Sequence, residues 1–266
     1  MDYSIGKVSK LLGLSVEGIR NYEKSGIIRS KRDDVSNYRK YSYLDIASLI
    51  RAKTYRACDF SLKETNELTN LCSLDEIADA FDDKIMELSA EARIIEEKRN
   101  YMKEQASLIR AVEEMEGKVR ICRMPAIYRI EFSRNGVIDF SDEMAVLLQT
   151  WMMYVPFVFF SSRYHGDDVY GGLAIRDRYA DLFDIPACCR AGGRIRYLPE
   201  TLCLMLTVKE GDTGYSRVET LSVLKDYASH HNFEIASDLI GHTVVGIYKS
   251  RDYQRFRQVF APVLNE

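Results

Sequence analysis

Residues 4–12 place Ile5, Val8 and Leu12 on one helical stripe, and Gly13-Leu14 breaks the pattern ahead of Ser15, a good N-cap residue. A short helix and a tight turn follow. Over residues 15–24 the apolar Val16 and Ile19 face one way. Glu17, Arg20, Asn21 and Lys24, spaced i, i+3, i+4 and i+7, face the other. One face packs and the other is free to read a partner. Gly26 is placed to end this second helix, because the left-handed C-cap conformation costs glycine least. Residues 27–29 and 38–41 read as two short strands around the polar loop 30–37, which holds the turn formers Asp33, Asp34 and Asn37. That hairpin is a candidate wing. Ser42 with Asp45, and Ser61 with Glu64, have capping-box spacing, so two more helices are expected to begin there.

Between residues 77 and 116 the texture changes to a long charged segment without proline or glycine. In it Ile77, Phe81, Ile85, Leu88, Ala92, Ile95, Met102 and Ile109 recur near a 3.5-residue period, which predicts one long helix with a single apolar seam. Arg99 and Ala106 fall on that seam and weaken it as an autonomous zipper. Gly117 and Pro125 bracket its exit. Beyond Met124, residues 126–132 read as strand, 141–154 as helix, and 157–162 and 170–175 as strands. A second round follows, with 201–209 as strand, 215–231 as helix, and 233–236, 244–249 and 255–263 as strands. Strand, helix, strand, strand occurs twice, suggesting an internal duplication.

The length of 266 residues suits about two compact domains and a connector. The net charge of −3 conceals an uneven split. Residues 1–60 hold twelve Lys and Arg against seven Asp and Glu, leaving +5 there and −8 in the remainder. A basic module on an acidic body suits a protein that puts one end on phosphates. Six cysteines (Cys58, Cys72, Cys122, Cys188, Cys189 and Cys203) show no C-x-x-C spacing and no signal peptide precedes them, so a reducing cytoplasm is expected. The longest apolar run, residues 151–160, is too short to span a bilayer, so no membrane partner is expected. His165, His230, His231 and His242 lack metal spacing, no G-x-S-x-G occurs, and Gly171-Gly172 is a weak phosphate cradle. The expectation is no catalytic set, no metal and no cofactor.

Successive stretches of the N-terminal segment (residues 3–8, 14–16, 19–28, 36–41 and 60–64) resemble, in order, the signatures of MerR-family regulators. Two positions depart from the pattern: Asn21 stands where the family has an aromatic residue, and Asn37 where it has glycine. Asn37 tolerates a left-handed turn, so the wing survives. The resemblance implies that Arg20 and Tyr22 meet DNA from the recognition helix, and Tyr38 and Arg39 from the wing. Ser15, Val16 and Lys24 lie on the same reading helix, and the amide end of the helix starting at Ser61, with Lys63 beside it, is a natural phosphate seat. The resemblance also implies an antiparallel coiled coil that makes a homodimer on double-stranded promoter DNA, reaching RNA polymerase indirectly through DNA shape.

Metal- and thiol-sensing relatives hold paired cysteines after the coiled coil, whereas Cys122 stands alone here and Cys188-Cys189 are poorly placed to chelate one ion. Residues 124–266 instead resemble the GyrI-like ligand-binding domain, on the tandem pattern and on residues 196–199 and 260–263. The fold class is thus multidomain: an all-α winged helix-turn-helix (1–73), a long dimerising coiled-coil helix (74–120) and an α+β GyrI-like domain (121–266). By this resemblance a small aromatic organic effector binds among Trp151, Tyr154, Phe159, Tyr170, Tyr197, Tyr248 and Gln258, where flat rings suit stacking. Gln258 replaces a glutamate that such domains use against cations. Either another acid such as Glu219 takes that role, or the ligand is neutral. The remaining alternatives are a thiol- or metal-sensing regulator and a ligand-sequestering or hydrolytic protein.

Overall fold

The computed structural model describes residues 2–33, 37–185, 193–211, 217–236, 238–249 and 252–264. The chain divides into two compact units, Met1–Arg93 and Ile94–Glu266.

The first unit runs β1 (Tyr3–Ser4), α1 (Ile5–Leu12), α2 (Val16–Lys24), β2 (Lys31–Arg32), β3 (Arg39–Tyr41), α3 (Tyr43–Ala57) and α4 (Leu62–Asn70), followed by the start of α5 (Leu74–Met115). A three-stranded sheet in the order β1-β3-β2 joins the helices, so this unit is helical but not wholly so. The turn after α2 is a Schellman closure: Ile27 N–H donates to Tyr22 O and Gly26 N–H to Glu23 O, both at 3.0 Å, with Gly26 at φ +79°. Ile27 and Ile28 do not form the expected strand. Both side chains enter the core with Val8, Ile19, Tyr41 and Leu49, and pairing starts only at Lys31. Two consecutive inward residues are incompatible with a pleat that alternates its faces. Both capping boxes are present: Ser42 N–H donates to Asp45 at 2.7 Å and Ser61 N–H to Glu64 at 2.6 Å. A third, unexpected from sequence, pairs Ser73 N–H with Glu76 at 2.7 Å and starts α5.

The second unit contains the rest of α5, then β4 (Val119–Met124), β5 (Ile127–Arg134), β6 (Val137–Ile138), α6 (Asp142–Met152), β7 (Val158–His165), β8 (Asp168–Arg176), β9 (Ile195–Leu198), β10 (Thr201–Gly211), α7 (Arg217–His230), β11 (Asp238–Lys249) and β12 (Asp252–Pro262). The strands form one antiparallel sheet ordered β4-β10-β12-β11-β7-β8-β5-β6, with β9 also on β5. The duplication is visible in this order. Each half runs first strand, third strand, second strand (β10-β12-β11 and β5-β8-β7), and the two second strands meet at β11–β7. Residues 233–236 do not form the expected strand. Asn232 turns at φ +58° and Ile235 makes only an isolated bridge to Val263. Strands β4 and β9 escape the sequence pattern because neither shows a clean period-2 alternation.

One sheet face buries Leu206, Val208, Leu239 and Val259 against Leu224 and Ala228 of α7. The other carries Met124, Ile127, Ala174, Met205, Ile240 and Phe260. Gly172 explains the tight pairing of β5 with β8, since a Cβ there would run into the Ile130 carbonyl. Among the described residues no helix is long and apolar enough to cross a membrane.

Candidate nucleic-acid interface and ligand cavity

In the first unit, Ser15 caps α2 by accepting from Gly18 N–H at 2.9 Å, and Ile19 anchors the helix in the core. The opposite face is open. Arg20 and Lys24 both reach Glu17, at 3.7 and 3.9 Å, in loose exposed pairs that contribute little and rearrange readily. Glu23 ties the helix to the hairpin, accepting from Arg39 Nε at 3.0 Å and from the Ser30 hydroxyl. Asn37 turns the hairpin at φ +53°, held by its N–H to Asp33 O at 2.8 Å, and leaves Tyr38 75% exposed. At α4 the Glu64 carboxylate accepts from Ser61 N–H, and the hydroxyl and backbone bonds of Ser61 hold it below the usual glutamate range. Lys63 beside it is exposed and only 3.9 Å from Glu67.

In the second unit a cavity of about 80 Å³ lies over the sheet beneath α5. Leu108 and Tyr101 of α5 and Phe157, Phe159 and Tyr179 supply its apolar wall; Arg176, His242 and Gln258 supply polar groups. The His242 ring meets Phe159 edge-on at 4.7 Å and Phe260 at 5.0 Å. Its Nε2 is enclosed and has no hydrogen-bond partner. Burial, reinforced by the Arg176, Arg257 and Arg129 charges, pushes its pKa down to about 3, so the ring is neutral at physiological pH. Arg176 donates to Glu104 of α5 at 2.8 Å, linking the helix to the end of β8.

Residues 4–41 match the MerR family of regulatory proteins. The N-terminal unit carries a MerR-family helix-turn-helix domain. A probable heavy metal-dependent transcriptional regulator of Haemophilus influenzae is 37% identical over 68 residues, 26% of this chain and 53% of that protein. The regulator CueR of Escherichia coli O6:H1 is 32% identical over 68 residues, 26% of this chain and 50% of that protein. The chain thus spans about half the length of these relatives. Over 98% of the chain and 99% of the other, the EcmrR–DNA complex superposes with a TM-score of 0.39 at 16% identity.

Within the MerR-type domain the structure brings Ser15, Val16, Arg20, Tyr22 and Lys24 onto one helix, and the Glu23–Arg39 contact sets the wing beside it. Tyr22 is half-buried against the core, and Arg39 is engaged within the protein. Of the proposed ligand aromatics, Phe159 and Gln258 line the cavity. Trp151, only 2% exposed, packs in the core behind it, and Tyr154 stacks on Phe183 at 4.4 Å. Tyr170 lies over Arg163 at 4.0 Å and faces a separate open cleft, while Tyr197 stands against Tyr128 at 4.9 Å. The side chain of Tyr248 lies outside the described residues, as do Cys188 and Cys189. Tyr101, Arg176, Tyr179 and His242 were not foreseen at the cavity. Only Tyr101 carries a sequence signal, an aromatic ring off the apolar seam of α5.

Cys122 is not alone: it is the cross-strand partner of Cys203, which lies 81 residues later. Burial raises the Cys122 thiol pKa and pushes that of Cys203 up to about 12, keeping both protonated and poorly nucleophilic.

Proposed function

We propose that the protein is a ligand-responsive transcription regulator. It binds a pseudo-palindromic promoter spacer as a homodimer and responds to a small aromatic molecule held in the C-terminal cavity. The observation that carries the DNA reading is the MerR-type domain itself, with the Arg20–Lys24 face of α2 unburied and Tyr38 at the tip of the wing. The names of the relatives, transcriptional regulators, support it. Pairing is supported by the seam of α5. Leu88, Ile95, Met102 and Ile109 recur every seven residues and are exposed in the single chain, Ile95 to 65% and Met102 to 67%. Two reading helices so paired enter successive major grooves roughly 34 Å apart. Ligand binding then changes the spacer geometry, so that polymerase engages DNA whose shape has been altered. The cavity of about 80 Å³ is smaller than the roughly 300–1,000 Å³ of typical ligand sites, so effector entry requires the lining side chains to move.

Anisotropy titration of the DNA upstream of the protein's own gene, at two salt concentrations, tests the reading. Tight binding that weakens steeply with salt is expected, and Arg20→Ala should lower the specific affinity about tenfold to a hundredfold. Absence of specific binding at low salt would overturn it.

A second reading, thiol or metal sensing, is favoured by the cross-strand Cys122–Cys203 pair and opposed by the burial that keeps both thiols protonated. Serine at both positions should abolish the response if this pair is the sensor, and leave it intact if the cavity is.

A further inference from the structure

The electrostatics around the cavity differ from what its aromatic wall alone suggests. Three carboxylates in the C-terminal unit each serve two arginines. Glu104 accepts from Arg176 at 2.8 Å and Arg178 at 2.6 Å. Glu131 accepts from Arg163 at 2.6 Å and from Arg129, and Glu210 accepts from Arg255 at 2.6 Å and Arg257 at 3.0 Å. In the Glu104 and Glu131 groups one anion faces two guanidiniums on the cavity side, so positive charge is left over there, whereas the Glu210 group lies on the α7-facing side of the sheet with Val208 and Val259. Asp238, 3.4 Å from Arg163 and 2.5 Å from His165, offsets part of it.

The polar atoms on the cavity wall have the matching bias. Arg176 can only donate hydrogen bonds, His242, Thr243 and Gln258 can donate as well as accept, and among the described lining residues none is a carboxylate. Sheet register aligns Ser161, His242, Gln258 and Thr207 as successive partners across β7, β11, β12 and β10, so they form one polar row on the cavity face. In this row both His242 Nε2 and Thr207 Oγ1 are buried without a partner. Of the two, His242 lines the cavity, so its Nε2 is open to a partner held there.

We propose that the cavity takes a flat aromatic molecule bearing an anionic acceptor group, a carboxylate, phenolate or sulfonate, directed at Arg176, His242 and Gln258, and that it rejects organic cations. The ring lies against Phe157 and Phe159. A cation would gain attraction from those ring faces, but it would meet unbalanced guanidinium charge with no carboxylate to answer it. The proposal rests on the reading of this cavity as the effector site.

Calorimetric titration of the full chain with benzoate, benzamide and benzamidine tests it, because the three share one shape and differ in charge. Benzoate is expected to bind at least about tenfold tighter than benzamide, with no detectable benzamidine binding. Gln258→Glu should weaken benzoate by about tenfold or more and admit benzamidine. His242→Phe keeps a ring but removes Nε2, and should weaken benzoate several-fold; if that variant fails to fold, Gln258→Glu still decides. Benzamide or benzamidine binding as tightly as benzoate would overturn the anion preference and leave the effector site standing. Benzoate affinity unchanged in Gln258→Glu would place the ligand elsewhere and overturn the proposal. If none of the three binds, it is the effector-site reading that fails.

Discussion

The two units solve the burial of polar groups in opposite ways. In the MerR-type domain the core is almost wholly apolar (Val8, Ile19, Ile27, Leu49), and Arg20 and Lys24 of α2 stand at the surface in loose pairs with Glu17. In the C-terminal sheet, Arg129, Arg163 and Arg257 are buried beneath the strands and held by Glu131 and Glu210. Charges on the first unit cost little to rearrange and are available to a partner such as phosphate. Those in the second are costly to disturb, because desolvated ions depend on their partners being in place. The contrast is between a surface free to exchange ionic partners and an interior whose charges are fixed in place.

The strongest way to break this comparison is Arg129→Ala. Arg129 is 1% exposed and donates to Glu131 and, at 2.6 Å, to Tyr170 O. Removing it leaves the Tyr170 carbonyl without this donor and Glu131 with Arg163 as its remaining partner, and should cost about 2–3 kcal/mol in denaturant unfolding of the C-terminal unit. A loss below about 1 kcal/mol would mean that the arginine network is as dispensable as a surface pair.

The second effect is pH dependence. His242 has a folded-state pKa of about 3, well below its ordinary value of 6.5, so between these limits the unfolded chain takes up a proton that the folded chain refuses. Stability should therefore fall as pH drops below about 6.5, by at most ~1.4 kcal/mol per pH unit from this group, and flatten near pH 3. His242→Phe should remove that component; an acid profile unchanged by the substitution would show that the ring is not held neutral.

Smallest is Ser15→Ala, which removes the cap on Gly18 N–H and should cost the MerR-type domain about 1 kcal/mol in thermal unfolding. It should also weaken DNA binding by loosening the start of α2. An unchanged melting temperature would mean that tertiary packing, through Ile19, sets this helix boundary without help from the cap.

The same contrast governs what could be read in advance. Ser15, the Ser42–Asp45 and Ser61–Glu64 boxes, Gly26 and the left-handed Asn37 all act over a few residues, and all were legible. So were the long helix α5, from its seam, and the double strand-helix-strand-strand order of the C-terminal unit. The cavity was legible only as a surplus of aromatics. Phe159 and Gln258 reach it, whereas Trp151 and Tyr154 fall into the packed layer behind, because burial depends on which strand lies opposite.

By itself, then, the sequence determined the local devices: where helices start and stop, which face of α2 is polar, and which stripe of α5 is apolar. Each is a matter of hydrogen bonds and periodicity within about two helical turns. Only the tertiary structure decided that Cys122 meets Cys203, that His242 stands next to Gln258, and that pairs of arginines share single carboxylates. Long-range pairings of this kind join residues as many as 93 positions apart, as Tyr164 and Arg257 do, and those within the sheet arise from its register, which no local pattern encodes.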